Sequence, residues 1–342
     1  MSLEGKRILI TGGTGSVGIS LLSELVKCEP KVIRVFSNDE NGLVTLENEY
    51  SSFSNIRCLL GDVYDFPRLV KAVEGVDVIF HLAALKHVKI CEYNPFEAVK
   101  TNVLGTQNIV EAAIREDVGK VIFTSSDKAA NSVNVLGATK LLAEKLITSA
   151  NYYKGPRRTV FSSVRFGNLV GSRGSIVPLV NMQIKKGRRV YLTDRNMSRF
   201  VMSMDEAVKL LLKVQDIMQG GEVFIFKMPS VMVVDFIEEI VKINANKFGC
   251  KPSDVKIETS GVGPGEKIHE ELMSEEETKN SRALELEDFY VLLPDLSELK
   301  RPLLKHYVEK MDAKKARVKP YTSRDAERLS REDMRKLIQP AC

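Results

Sequence analysis

Apolar residues in the first half of the chain fall into short runs separated by amphipathic stretches. The runs cover residues 7–11, 31–36, 56–60, 76–82, 120–124 and 159–165, each of strand length. Between them, residues 17–27, 66–73, 97–116 and 137–151 read as helices with one apolar face. Strands that alternate with helices in this way need a parallel sheet with helices on both faces. The pattern therefore predicts an α/β fold built on a doubly wound parallel sheet. Ligands of such sheets sit at the carboxyl ends of the strands, so the loops after Thr11, Phe36, Gly61, Leu82, Thr124 and Arg165 are the expected site.

After Asn168 the texture changes. Loops rich in Gly, Pro and Ser alternate with helices expected over 204–218 and 233–248. The expected organisation is a doubly wound domain over 1–170 and a smaller mixed α/β lobe over 171–342. That lobe would cover the sheet's carboxyl edge, with the option of weaving back into it. The charged stretch 312–318 reads as a solvated linker.

Composition narrows the function classes. Of 342 residues, 44% are hydrophobic and 28% charged, which is ordinary for a globular chain with a large core. Fifty basic residues face 45 acidic ones, too even a balance to imply a nucleic-acid partner. The five cysteines (Cys28, Cys58, Cys91, Cys250, Cys342) are odd in number and include no C-x-x-C. They argue against a disulfide scaffold or a zinc ribbon, so no metal site and a reducing compartment are expected. No run approaches the ~20 apolar residues of a membrane span, and the first residues lack the apolar core of a signal peptide. The expectation is a cytoplasmic protein with no membrane partner.

The first strand ends in Thr11-Gly12-Gly13-Thr14-Gly15-Ser16-Val17-Gly18, and a helix follows. Gly12 permits a tight turn, Gly15 lets backbone amides approach a pyrophosphate, and Gly18 lets the helix pack on the strand. Thr11, Gly12, Gly15, Ser16, Val17 and Gly18 are the expected dinucleotide loop. The second strand ends in Ser37-Asn38. An acid there would hold a ribose 2′-hydroxyl and select NAD; Ser37 also allows NADP and favours it weakly. Asp62 and Val63 suit an adenine edge, with a helix cap as the alternative for Asp62. Thr124-Ser125-Ser126-Asp127-Lys128 ends the fifth strand, and Lys140 lies on the helix after it, able to point back toward the strand ends.

The glycine spacing, Phe80-His81-Leu82-Ala83-Ala84, the Ser/Asp strand end and Lys140 resemble the framework of the extended short-chain dehydrogenases/reductases, a Rossmann-type fold. More narrowly, the chain resembles the UDP-N-acetylglucosamine 4,6-dehydratase family of polysaccharide and glycan biosynthesis. The matching segments run in family order: Ala83–Val88, Asn94–Asn102, Ser126–Ala129, Gly137–Lys140, Arg165–Ser175, Met197–Phe200, Pro264–Lys267 and Tyr321–Ser323. Three positions depart from it. Leu136 stands where the superfamily has its acid/base Tyr, Asn38 where NADP-preferring members have Arg, and Gly263 where the family has Arg before Pro-Gly-Glu-Lys.

The resemblance implies a UDP-sugar substrate, NADP or NAD as cofactor, and a homo-oligomer paired through residues 97–116 and 137–151. It implies oxidation at C4, loss of water across C5 and C6, and return of hydride to C6. It assigns Lys128 as the C5 base and Asp127 as the acid at C6. Ser125 and Ser126 are to hydrogen-bond the C4 oxygen, and Lys140 is to hold the nicotinamide ribose. A lysine base must be neutral, so the Lys128 pKa is expected to be depressed. Ala83, Ala84, Lys86, Asn102 and Ser125 join the expected cofactor site. Lys86, His87, Asn168, Arg173, Val177, Arg199 and Glu266 are the expected substrate contacts; His87 has packing, and Arg199 an ion pair, as its alternative. His81 reads as a core histidine. A nucleotide-sugar 4-epimerase and a non-catalytic dinucleotide-binding regulator are the rival readings.

Overall fold

The computed structural model describes residues 3–279 and 282–341; Cys342 lies outside them. Strands β1 (Arg7–Thr11), β2 (Val32–Ser37), β3 (Ile56–Leu60), β4 (Val78–His81), β5 (Lys120–Thr124) and β6 (Val160–Arg165) occupy the six apolar runs. They pair in parallel in the spatial order β3-β2-β1-β4-β5-β6. Strand order reverses between β1 and β4, which opens the crevice where sheets of this kind bind ligands.

Helices α1 (Ser16–Leu25), α2 (Glu40–Glu49), α3 (Phe66–Val73), α4 (Val88–Tyr93), α5 (Pro95–Ala98), α6 (Gly105–Arg115) and α7 (Val135–Tyr153) accompany these strands. Alternation along each strand divides the core between the faces. Ile8 and Ile10 pack in one layer with Leu21, Leu22 and Val35. Leu9, between them, packs in the other with Leu69, Ile79, Ile109 and Val121.

The helix expected over 97–116 is interrupted: α5 ends at Ala98, Val99–Leu104 form a π-helical turn, and α6 starts at Gly105. The wider turn holds the buried Asn102, whose side chain bonds backbone outside the helix. Helix α2 carries only Leu43 and Leu46 as buried residues, too few to show a period; Asp39 caps it through the Gly42 amide at 3.0 Å.

The second half continues with β7 (Asn168–Leu169), β8 (Arg189–Leu192), β9 (Ser198–Met202), β10 (Val223–Phe226), β11 (Ser230–Met232) and β12 (Lys256–Thr259). After these come β13 (Glu271–Met273), β14 (Ala283–Glu285), β15 (Phe289–Leu292), β16 (Lys314–Lys315) and β17 (Tyr321–Thr322). Strand β10 joins β6 in parallel, and β15, β14 and β16 extend the main sheet antiparallel to ten strands. Lobe and sheet are thus interleaved along the chain. The stretch 312–318, expected as a solvated linker, instead supplies the edge strand β16, anchored by the buried Ala313 beside exposed lysines.

Helices α8 (Ile176–Gly187), α9 (Met204–Ile217), α10 (Val233–Asn244), α11 (Glu275–Thr278), α12 (Ser297–Met311) and α13 (Arg331–Ile338) complete the chain. A separate core joins α8, α10 and α13 through Val177, Ile184, Phe236, Ile240 and Met334.

Candidate active site

The glycine loop between β1 and α1 is shaped by backbone contact. Gly12 has φ +65°, and a Cβ there would lie 2.8 Å from the backbone of Ala83. At Gly18 a Cβ would lie 2.5 Å from Gly13. The amides that open α1 therefore border an uncluttered cradle, suited to a pyrophosphate. Thr11 is not part of its surface. It is fully buried, and its Oγ1 lies 2.7 Å from His81 Nδ1. His81 Nε2 lies 3.1 Å from Thr106 Oγ1, which donates to the Asn102 carbonyl at 2.7 Å. Both ring nitrogens are used, and burial, aided by Lys140, lowers the His81 pKa to about 3. His81 is a neutral core residue.

A cleft of about 620 Å³ extends from this loop across the strand ends. Of the residues expected from sequence, Gly12, Gly15, Ser16, Val17, Gly18, Ser37, Asn38, Asp62 and Val63 line one part of it. Asn38 Nδ2 donates to Asp62 Oδ2 at 2.7 Å, and Ser37 Oγ lies 2.8 Å from Thr14 Oγ1. Ala83, Ala84, Lys86, His87, Ser126, Asp127, Lys128, Asn168 and Arg173 line the remainder. Lys86 donates to the Arg173 carbonyl at 2.7 Å, and the Arg173 amide donates to Ser16 Oγ at 2.9 Å. A Cβ on Gly174, φ +73°, would lie 2.8 Å from the His87 ring. Lys86 and His87 are thus engaged with the 173–174 loop, which crosses the glycine loop like a strap.

Other expected site residues lie behind the cleft wall. Asn102 accepts from the Leu85 amide (2.8 Å) and donates to the Leu85 carbonyl (3.2 Å) and Thr139 (3.0 Å), so it shapes the 83–86 loop from beneath. Ser125 is buried with no partner for its hydroxyl among the described residues. Lys140 donates to the Thr124 carbonyl at 2.8 Å, and burial lowers its pKa to about 8. Val177, expected at the substrate, is fully buried in the lobe core because α8 turns that face inward. Glu266, also expected there, folds back to accept from the Gly263 amide at 3.3 Å.

The turn after β5 carries a compact charged group. Ser126 Oγ donates to Asp127 Oδ1 at 2.8 Å and also accepts from the Lys128 amide at 3.3 Å. Lys128 Nζ lies 3.0 Å from Asp127 Oδ1 and 3.4 Å from Oε1 of Glu270, a buried carboxylate not among the residues expected from sequence. Here the expected depression of the Lys128 pKa is corrected. Burial alone would lower it, but Asp127 and Glu270 outweigh burial and Arg199, so it is raised.

Arg199 takes its ion-pair alternative. Its Nε is 3.8 Å from Glu270 Oε1, and its guanidinium donates to the carbonyls of Ser198, Lys267 and Ile268 at 2.7–3.1 Å. Three of its N–H donors are thus engaged by main-chain carbonyls. Ser323 Oγ accepts from the Glu270 amide at 2.9 Å and lies 2.8 Å from Ser198 Oγ, while Lys267 donates to the Ala130 and Asn131 carbonyls. The segments around Ser198, Lys267 and Ser323 therefore converge behind the Asp127–Lys128 turn. Leu136 is buried against Cys91 and Ala98, with Leu85, Val88 and Val135 around them. The Leu136 side chain itself has no group that can act as acid or base.

Among the described residues, no cluster of three or more His, Cys, Asp or Glu could hold a metal, and no helix is long and apolar enough to cross a membrane. The chain is 52% identical over 336 residues to an "uncharacterized membrane protein" of Methanocaldococcus jannaschii, covering 98% of this chain and 96% of the relative. It is 39% identical over 298 residues to a "UDP-N-acetylglucosamine 4,6-dehydratase (inverting)" of Campylobacter jejuni, covering 86% and 84%. A "UDP-glucose 4-epimerase" of Rickettsia massiliae is 38% identical over 339 residues, covering 97% and 95%. The crystal structure of Pen from Bacillus thuringiensis superposes with a TM-score of 0.91 at 43% identity, covering 100% of this chain and 99% of that one. The model of the polysaccharide biosynthesis protein family matches residues 8–293, and the chain belongs to that family, on a short-chain dehydrogenase/reductase fold.

Proposed function

We propose that the protein is a nucleotide-sugar 4,6-dehydratase acting on UDP-N-acetylglucosamine, with a nicotinamide dinucleotide held at the glycine loop. The observation that carries this reading is the Ser126–Asp127–Lys128 group at the cleft, in a chain whose residue 136 is a leucine that cannot ionise. An epimerase of this superfamily needs an acid/base at position 136 and has no use for the Asp–Lys pair. A non-catalytic regulator has no need to keep an acid, a base and Lys140 together. Identity to the Campylobacter dehydratase supports the reading, but identity to the Rickettsia epimerase is as high, so the choice rests on the residues.

A bound nicotinamide supplies the hydride acceptor for C4 and the donor for C6. The Gly12 cradle would hold its pyrophosphate, and Lys140, now bonded to the Thr124 carbonyl behind the cleft wall, would hold its ribose. Weak favour for NADP rests on Ser37, and Arg173, whose guanidinium is 3.9 Å from Asp39, brings a cation to that end.

The chain's residues then handle the protons. Ser126 receives the C4 hydroxyl and passes its proton to Asp127 through their 2.8 Å hydrogen bond. The amine of Lys128 takes the C5 proton, made acidic by the C4 ketone. Asp127 delivers its proton to the departing C6 hydroxyl, and Lys128 returns its own to C5. Subunits pair through residues 97–116 and 137–151, where Leu104 and Leu142 are exposed.

An NMR time course with UDP-N-acetylglucosamine in D₂O tests the reading. The expected product is the 4-keto-6-deoxy sugar with deuterium at C5. Formation of the C4 epimer without loss of water would make the protein an epimerase. No conversion by dinucleotide-loaded protein would favour the regulator.

A further inference from the structure

Glu270 takes no part in the reaction as just described, yet it is 3% exposed and reaches Lys128 from a distant part of the chain. Its main chain is fixed by Ser323, which accepts from its amide through the hydroxyl and donates to its carbonyl through the backbone. A buried carboxylate is costly unless it is paired. Where this protein buries one for structure alone, it satisfies both oxygens. Glu222 accepts from the Gln219 and Gly220 amides, Ser162 and Tyr307, all within 2.6–2.7 Å. Glu270 instead turns Oε1 to Lys128 and leaves Oε2 without a hydrogen-bond partner among the described residues.

We propose that Glu270 is a positioning residue that holds the Lys128 side chain at the cleft and accepts the proton Lys128 must lose before its amine can act at C5. The inference rests on the dehydratase reading. In the transfer an N–H bond of the ammonium breaks and an O–H bond forms on Glu270, so an ion pair becomes an amine and a carboxylic acid. The amine takes the C5 proton and later returns to C5 one of its N–H protons, which exchange with solvent, after which Glu270 returns its proton to Lys128. The cycle needs no other donor or acceptor. The charged groups facing Lys128 are Asp127 on its own turn, Glu270 from the stretch before β13, and Arg199 from β9. Asp127 is occupied by the C4 and C6 protons, which leaves Glu270 as the acceptor.

The test has two arms on the dinucleotide-loaded protein. In the first, an amine-acylating reagent is applied across a pH series without sugar, and Lys128 labelling is read by peptide mass spectrometry. Glu270→Gln should move the labelling midpoint to lower pH and raise Lys128 reactivity at neutral pH about tenfold or more, because removing a charge at this range shifts a pKa by about 1–3 units. Glu270→Asp keeps the charge and should stay near the wild-type profile. In the second, C5 deuterium exchange is followed with UDP-N-acetylglucosamine. Wild-type exchange should be flat through neutral pH, because the proton moves within the pair. In Glu270→Gln it should rise with pH along the midpoint found by labelling. Unchanged labelling and exchange profiles in Glu270→Gln, or a Glu270→Asp protein indistinguishable from it, would overturn the proposal. A wild type that neither exchanges C5 nor reduces its nicotinamide would overturn the dehydratase reading, and the labelling arm would still decide whether Glu270 governs Lys128.

Discussion

Arg165 and Glu277 lie 112 residues apart in sequence and meet through two hydrogen bonds of 2.9 and 2.7 Å. The same guanidinium makes two more to the buried Glu144, at 2.8 and 2.7 Å, and one to the Leu272 carbonyl. Arg165 ends β6, Glu144 lies on α7, and Glu277 lies on α11, beyond the strand that follows Glu270. One side chain thus ties the sheet to the segment carrying Glu270.

Arg165→Met removes the shared partner and leaves Glu144 buried and uncompensated. Loss of one side of such a cluster typically costs about 3–5 kcal/mol. A urea titration should show that loss, with unfolding still cooperative. The pH dependence follows from Glu277. Burial alone would raise its pKa, but Arg165 and the Ser274 hydrogen bonds outweigh burial and hold it below the ordinary 4.5. A depressed carboxyl stabilises fully above that value, and the contribution fades as the pH falls through the folded pKa. Wild-type protein should therefore lose more stability below pH 4.5 than Glu277→Gln does.

Much of the site was legible because its parts are local. The glycine loop and the Ser126–Asp127–Lys128 turn each lie at the end of an apolar run, so the strand pattern alone placed them at the sheet's carboxyl edge. Glu270 was not legible. It is one acid in a charged stretch, and it becomes significant only because Ser323, Ser198 and Arg165 bring that stretch against the turn. Val177 and Thr11 were misplaced for the opposite reason. Each lies within two residues of one that lines the cleft, but the direction of its side chain depends on helix phase for Val177 and on the pleat at the strand's last residue for Thr11. The break at Val99–Leu104 was hidden because a π-helical turn leaves the apolar periodicity on either side intact.

Gly12→Ala should abolish dinucleotide binding without unfolding the chain. The added methyl would lie 2.8 Å from the Ala83 backbone, and φ +65° is unfavourable for alanine. Denatured wild-type protein should release NADP or NAD on chromatography, and the variant should release neither. A variant that still carries the dinucleotide would remove the glycine loop from the binding site.

Leu136→Ala separates packing from chemistry. Leu136 is 3% exposed within its apolar cluster. Truncating a buried leucine typically costs about 2–5 kcal/mol, so the thermal midpoint should fall. Turnover per folded molecule should remain substantial, because no proton passes through this position. A loss of turnover matching that of Lys128→Ala would mean that Leu136 shapes the reacting geometry directly.

Lys128→Ala is the sharpest test of the proton assignments. Its amine lies on the Ser126–Asp127 turn, 3.0 Å from Asp127. Without it the C5 proton has no base, and losing a general base typically costs about 10²–10⁴-fold in rate. Oxidation at C4 needs Ser126 and Asp127 rather than Lys128. With UDP-N-acetylglucosamine the variant should therefore accumulate reduced-nicotinamide absorbance without forming the 4-keto-6-deoxy product. Asp127→Asn should differ in kind, because it removes both the acceptor for the C4 proton and the donor for C6. Neither absorbance nor product should then appear at the wild-type rate. If Lys128→Ala turned over like the wild type, the C5 base would have to be sought on the other wall of the cleft, where Lys86 and His87 stand.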